Sequence, residues 1–452
     1  MPTETMTGTK TRARWAALAV LLTAEAMNLL DATIVQVAGP VIHAELPGPA
    51  ADIPWFSAAY TLPFAVFLIT GGQLGDVFGR ARIFKIGVTG FALASLACAA
   101  APAAGPLIGA RAVQGAAAAL IIPQTIGLIR ALFDGDELAK ALGTIGPVMG
   151  LSAVTGPLLG GLLTHAVSWR AAFLVNVPLG LAVLAAARFL REDRARERPR
   201  LDVTGTALVV AGTGLLVYPL IDPAGTNRWL LAAGVTLLVV FGFHQRRAAA
   251  PLVEPSLFAS RGFPAALAGS LLFFAVMTGL MQVIPMRLQL GEGADVRTAG
   301  LTLLPLSAGL AVASWFAGAK LVPKFGARVM FAGLALLLAG ILATAGGVPG
   351  ALALCGLGMG TFTVPFFTAA LRRVRPHETG SAAGLLNAVQ QLGGTLGVAL
   401  LGGLYLSSGT AATAFGVAAG LTAAAAVAVA PLGFGGSGRR SPRRRLSSHR
   451  GR

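Results

Sequence analysis

The feature that most constrains this chain is its succession of apolar runs, each about twenty residues long, separated by short charged clusters. A helix rising ~1.5 Å per residue needs about 20 residues to cross ~30 Å of hydrocarbon. Inside lipid, every backbone amide must find its partner within the segment or in a closed barrel. Only 12% of the 452 residues are charged, against roughly 25% in soluble proteins. An ordinary soluble enzyme, a disulfide-stapled secreted domain and a disordered chain are thereby excluded. Cys98 and Cys355 lie far apart inside apolar runs, without metal-ligand spacing. The expectation is an all-α integral membrane protein.

The runs place spans near 15–38, 54–75, 83–101, 105–129, 140–163, 169–190, 202–221, 228–244, 264–287, 299–319, 327–346, 350–371, 382–406 and 411–432, fourteen in all. The first is too long for a signal-peptide core and carries Glu25 and Asp31, so it reads as a retained span. With a cytoplasmic N-terminus and a reversal at every span, 30 of the 35 Lys and Arg residues fall on cytoplasmic segments. Only Arg170, Arg228, Arg287 and Arg297 fall outside, and Arg111 lies within a span. That bias is the positive-inside pattern, and it predicts a multi-pass protein of the bacterial inner (plasma) membrane with both termini cytoplasmic. The net charge of +17 does not imply nucleic acid, because the basic residues are spread over many short loops rather than one face.

The expected organisation is a cytoplasmic N-terminus (1–14), a six-helix bundle (15–190), a basic linker with two extra transmembrane helices (191–263), a second six-helix bundle (264–432) and a disordered basic cytoplasmic tail (433–452). The tail either touches anionic lipid headgroups or simply anchors topology. A repeat relates the bundles. Leu74-Gly-Asp-Val-Phe78-Gly79-Arg80 follows the second span, and Leu321-Val-Pro-Lys-Phe325-Gly326-Ala-Arg328 follows the tenth. Transporters often build a central site between two such repeats.

The motifs in these positions carry a resemblance. Gly72-Gln-Leu-Gly-Asp76-Val-Phe-Gly79-Arg80-Ala-Arg82 resembles the signature loop of the major facilitator superfamily. Leu30-Asp31-Ala-Thr33-Ile-Val-Gln36-Val-Ala-Gly-Pro40 resembles the first-span motif of its fourteen-span drug:proton antiporter branch. Arg111-Ala-Val-Gln114-Gly115 is similar to the fourth-span motif, and Gly146-Pro147 with Gly156-Pro157-Leu-Leu-Gly160-Gly161 to the fifth-span antiporter motif. Trp169-Arg170 through Asn176-Val-Pro178, and Gly380 through Gly394, are similar to further stretches of that branch. The resemblance runs from Trp15 to about Leu432. The chain departs from the branch at Gln36, Gly39, Val77 and Pro323. The implied fold is the major facilitator fold, two six-helix bundles plus two extra helices.

Three ionisable side chains lie well within spans: Glu25, Asp31 and Arg111. Such residues are costly in lipid and are functional candidates by default. At ~1.5 Å per residue, Glu25 falls near the bilayer midplane, while Asp31 and Arg111 share a depth near the outer end of their spans. Arg111 is then the counter-ion of Asp31, either as part of a coupling device or as a structural pair joining two helices. A carboxyl without a counter-charge in low-dielectric surroundings readily holds a proton, so Glu25 reads as a site for proton or cation exchange; the alternative is a neutral carboxyl bonded to a neighbouring helix. Gln114 accompanies Arg111 in the fourth-span motif.

Asp76, Gly79 and Arg80 combine an acid, a tight-turn residue and a base, the makings of a breakable gate. By resemblance that loop latches the two halves. Gly146, Pro147, Gly156 and Pro157 are expected to bend or loosen the fifth span. Asn387, Gln390 and Gln391 share one helical face, as cavity lining or as interhelical bonding groups.

No nucleotide-binding loop of the form G-x-x-x-x-G-K-[ST] is present, so the expectation is no enzyme, no cofactor and a proton gradient as the energy source. The expected activity is proton-coupled efflux of lipophilic, cationic compounds or an antibiotic by alternating access. The alternative is a dedicated exporter of an endogenous metabolite, antibiotic or lipid. Expected partners are a small lipophilic substrate, protons and the lipid bilayer, with no nucleic acid and a monomeric chain. The Ala-, Gly- and Arg-rich composition points to a GC-rich bacterium.

Overall fold

A computed structural model describes residues 3–187, 190, 192, 202–221, 228–248, 251–259, 262–372, 374, 375 and 378–434. The arginines of the 188–200 cluster, Arg261, Arg373, the tail from 435 and the side chains of Lys10 and Arg12 lie outside the described residues. In the first half run α1 (Thr3–Glu45), α2 (Asp52–Phe78), α3 (Arg80–Ala99), α4 (Ala104–Leu132), α5 (Gly135–Gly143), α6 (Ile145–Ala166), α7 (Trp169–Leu174) and α8 (Asn176–Ala186). Two helices follow, α9 (Val203–Ile221) and α10 (Arg228–Gln245). The second half holds α11 (Gly262–Met286), α12 (Val296–Thr302), α13 (Leu304–Phe316), α14 (Val322–Phe325), α15 (Val329–Ala345), α16 (Ala351–Leu371), α17 (Thr379–Ser408) and α18 (Ala411–Phe434).

Among the described residues, 12 helical stretches are long and apolar enough to cross a membrane, where the sequence reading expects fourteen. Two features account for the difference. The spans expected at 299–319 and 327–346 fall in one 50-residue helical stretch, Val296–Ala345, and Trp229–Gln245 is a shorter apolar helix. The first helix also begins at Thr3, well before position 15.

Prolines explain where spans break. Pro147, Pro178 and Pro305 each lack the N–H that the carbonyl four residues earlier needs. The chain turns just ahead of each one, at Thr144, Val175 and Leu303. The fifth span is therefore interrupted at Thr144, while α6 runs on through Pro157. In the two signature turns, Gly79 has φ 104° and Gly326 has φ 59°, a region that a Cβ disfavours.

The basic turns after α2 and between α14 and α15 mark one end of the molecule, the basic end; Glu45 marks the other. Each half has its own apolar core. Phe84, Phe91, Ala118 and Ile121 belong to the first, and Phe273, Leu337, Phe362 and Phe366 to the second. Large apolar side chains such as Leu93, Trp315 and Val427 point outward, as a lipid-facing surface requires.

The halves meet along α2 and α17 and along α6 and α12. Ser57 Oγ donates to Gln282 Oε1 at 3.3 Å and Thr395 Oγ1 to Thr61 Oγ1 at 2.8 Å. Gln289 Nε2 donates to the Val37 carbonyl at 2.9 Å, and His165 lies 3.6 Å from Asp295. Helix α9 packs over the α2–α17 seam, with Val217 and Ile221 against Ala58, Val398 and Ala399. Thr206 and Thr70 are 3.1 Å apart at the same seam. Helix α10 packs on α9.

Candidate transport site

Asp31 and Arg111 are 1% and 0% exposed. Arg111 Nη1 donates to Asp31 Oδ2 and also to Gln114 Oε1 at 2.6 Å. Its Nε donates to the Phe56 carbonyl at 3.0 Å. The other carboxylate oxygen, Asp31 Oδ1, accepts from Gln114 Nε2 at 2.9 Å and from Asn176 Nδ2 at 2.7 Å. Gln114 Nε2 also donates to Ser95 Oγ at 2.8 Å. Side chains from α1, α3, α4 and α8 thus converge on one carboxylate, and α2 adds a carbonyl.

Local sequence explains the convergence. Arg111 and Gln114 are three residues apart and so share a face of α4. Gly115, next to them, has no Cβ, and one placed there would meet the Tyr60 backbone. The break ahead of Pro178 puts Asn176 at the first turn of α8, aimed at α1. Both oxygens of this desolvated carboxylate accept hydrogen bonds, while Arg111 Nη2 has no partner; deleting one member of such a pair costs about 3–5 kcal/mol.

Glu25 is 6% exposed, one and two-thirds turns from Asp31 on α1. The Thr125 side chain of α4 is its hydrogen-bond partner. Asn28 stands between the two acids on the helix surface and accepts from the Tyr60 hydroxyl. The Arg111 guanidinium lies 4.3 Å from the Tyr60 ring centre and 5.7 Å from that of Phe173.

The gate residues sit at the basic end. Arg80 Nη2 bonds Asp76 Oδ1 at 2.8 Å across one turn, bridging the α2–α3 corner at Gly79. The Glu192 carboxylate accepts the Ala81 amide at 3.1 Å, satisfying a first-turn donor of α3. Gly127 of α4 leaves room for the Arg80 guanidinium, which a Cβ there would strike. Gly146 stands in open space, while Gly156 lies against Thr33, and a Cβ at Gly160 would sit 3.0 Å from the Ile34 Cα. Those glycines let α6 approach α1 at the level of Asp31. Asn387, Gln390 and Gln391 are partly buried on α17, away from the Asp31 cluster.

The sequence reading brings together Asp31, Arg111 and Gln114 and misses Ser95, Asn176, Asn28 and Tyr60 as their neighbours. Polar residues inside apolar runs were the available signal for three of these. Among the described residues, no group of three or more His, Cys, Asp or Glu is placed to hold a metal ion.

The chain belongs to the Major Facilitator Superfamily, whose profile matches residues 21–398. It is a membrane transporter and not an enzyme. It is 43% identical to the "Probable actinorhodin transporter" of Streptomyces coelicolor over 429 residues, covering 89% of this chain and 74% of that one. It is 38% identical to the "Puromycin resistance protein pur8" of Streptomyces alboniger, covering 93% and 89% of the two chains. It is 34% identical to the "Multidrug resistance protein Stp" of Mycobacterium tuberculosis, covering 83% and 73%. In fold it resembles the crystal structure of a peptide transporter, POT, in complex with sulfate, with a TM-score of 0.68, 16% identity and 92% and 95% coverage.

Proposed function

We propose that this transporter exports lipophilic compounds, cations or an antibiotic among them, in exchange for protons by alternating access. The observation that carries this reading is the dry Asp31–Arg111 pair, held by Gln114, Ser95 and Asn176, with a second buried acid, Glu25, on the same helix. Ionisable groups kept within spans against such a cost mark ion or substrate paths. In this reading Glu25 exchanges a proton or a cationic substrate, Asp31 with Arg111 couples that exchange to helix movement, and Asp76–Arg80 latches the basic end. The proton gradient supplies the energy.

We also read the chain as fourteen crossings with the basic end in the cytoplasm. Counting Val296–Ala345 as two spans and adding Trp229–Gln245 to the other stretches gives that number, and the positive-inside bias supports the orientation.

A dedicated exporter of one endogenous antibiotic is the second reading. It is favoured by relatives whose names specify single compounds, actinorhodin and puromycin.

Ethidium efflux from an efflux-deficient bacterium expressing this chain, with and without a protonophore, tests both. Protonophore-sensitive efflux crippled by Glu25→Gln or Asp31→Asn is the expected result. A well-expressed chain that moves no dye favours the dedicated exporter. Efflux that survives both substitutions overturns the assignment of the two carboxylates.

A further inference from the structure

An ion pair that takes up a proton leaves its base behind. When Asp31 becomes neutral, Arg111 remains charged in a site with no water-exposed surface. Its Nη2 has no hydrogen-bond partner, so little in the way of polar contact replaces the lost carboxylate. The Phe56 carbonyl and Gln114 Oε1 stay. The remaining contacts are aromatic: the Tyr60 ring, 4.3 Å from the guanidinium carbon, and the more distant Phe173 ring at 5.7 Å. An aromatic face attracts a desolvated cation, and the attraction is stronger where no anion already neutralises it.

Several features hold that ring in place. Tyr60 is 1% exposed, and its hydroxyl donates to Asn28 Oδ1. Its backbone rests on α4 at Gly115, one turn beyond Arg111 on the same face. Phe56, one turn earlier on α2, takes the Arg111 Nε. A single turn of α2 therefore receives the guanidinium both edge-on and face-on. The titratable or charged groups around the pair are Glu25 and Asp31 from α1, Tyr60 from α2, Cys98 from α3 and Arg111 from α4. Helices α7 and α8 contribute Phe173 and Asn176, which do not titrate.

We propose that Tyr60 is the positioning residue of the Asp31–Arg111 pair: its ring face holds Arg111 while Asp31 is neutral, and its hydroxyl, bonded to Asn28, keeps the ring aimed. This rests on the proton-exchange reading above with one step added: the proton taken up at Glu25 passes on to Asp31, and the neutralised pair is the coupled state. The ring sets how readily the pair accepts a proton; the hydroxyl only steers the ring.

The test uses the full chain in proteoliposomes, with ethidium transport driven by an imposed pH gradient across a series of pH values. Tyr60→Phe is expected to keep the wild-type profile. Tyr60→Leu is expected to need about tenfold more protons at the midpoint. The melting temperature of the purified chain against pH gives a second reading. There the Tyr60→Leu shift should vanish in an Asp31→Asn background, which a merely structural role would not do. Should Tyr60→Leu fail to accumulate, Tyr60→Met refills the space without a ring. A Leu or Met variant with an unmoved midpoint in both measurements, or a Phe variant that shifts equally, overturns the proposal. A wild type that moves no dye while the pH midpoint of its melting profile still shifts with Tyr60→Leu overturns the dye-efflux reading in favour of the dedicated exporter and leaves the positioning role standing.

Discussion

Gly156 of α6 lies directly against the Thr33 side chain of α1, two residues from Asp31. The second Gly-Pro pair of the fifth span therefore serves as a contact surface. A Cβ at position 156 would meet Thr33 Oγ1 and sit 2.9 Å from its Cβ. Gly156→Ala should therefore push α6 from α1, at a cost of about 1–3 kcal/mol, and impair efflux at unchanged membrane yield. Thr33→Ala removes the hydroxyl and the γ-methyl but keeps the Cβ, so the double variant should recover part of the activity. No recovery would show that the approach at Gly156 is not the limiting contact.

Asn176 completes the shell around Asp31 Oδ1. Asn176→Ala should lower stability by about 1–3 kcal/mol through the donor that the buried carboxylate loses. The drop is measurable as a lower melting temperature in detergent. In an Asp31→Asn background the effect of Asn176→Ala should shrink, because the two act on one group. Additive losses would argue that Asn176 acts elsewhere.

The gate predictions separate strain from charge. Gly79 holds φ 104°, so Gly79→Ala should cost about 1–3 kcal/mol in backbone strain. Asp76→Asn breaks a half-exposed ion pair and should change stability by less than about 1 kcal/mol, while reducing transport far more. Gly127→Ala, which displaces the Arg80 guanidinium, should mimic Asp76→Asn in transport. Equal melting losses for Gly79→Ala and Asp76→Asn would contradict this division.

At the basic end of the α9–α10 pair, Asp202 accepts from the Gly205 amide at 2.8 Å and from Gln245 Nε2 at 2.7 Å, and lies 2.8 Å from His244 Nε2. Burial alone raises this carboxyl, but the bonds from His244, Gly205 and Gln245 outweigh it and hold it below the usual carboxylate range. A depressed carboxyl stabilises the fold above its unfolded value, about 3.9, and that contribution is lost as pH falls through the folded value. Asp202→Asn should therefore lower the melting temperature at pH 7, and the gap to the wild type should close only below about pH 4. A gap of the same size at pH 7 and well below about pH 4 would contradict this.

Much of the first half was legible because depth along a helix follows from counting. Equal depth joined Asp31 to Arg111, and the resemblance to the fourth-span motif added Gln114. Rotation about each helix and the identity of its neighbours do not follow from counting. Ser95 and Asn176 could not be assigned to Asp31 without knowing that α3 and α8 face α1. Tyr60 gave no signal, since an aromatic residue in an apolar run reads as core. The Gly-Pro pairs were visible, but not that the chain turns at Thr144 while the helix continues past Pro157. Pro147 sits where the broken bond falls at the end of α5, whereas Gly156 and Gly160 let α6 pack against α1. The span count rested on hydropathy and on the placement of the basic residues, and neither shows that α13, α14 and α15 follow one another within one helical stretch.

The pairing of Asp31 with Arg111 also decides when voltage acts on the site. While both are charged, the pair has no net charge, and moving it through a membrane potential does almost no electrical work. Once the carboxylate is neutral, a single positive charge rides on α4. Carrying that charge across the full field is worth roughly 2.3 kcal/mol per 100 mV. Glu378, at the start of α17, is the one Asp, Glu, Lys or Arg that the second half buries among the described residues. In the proton-exchange reading the electric field therefore pulls on one bundle and leaves the other to follow mechanically.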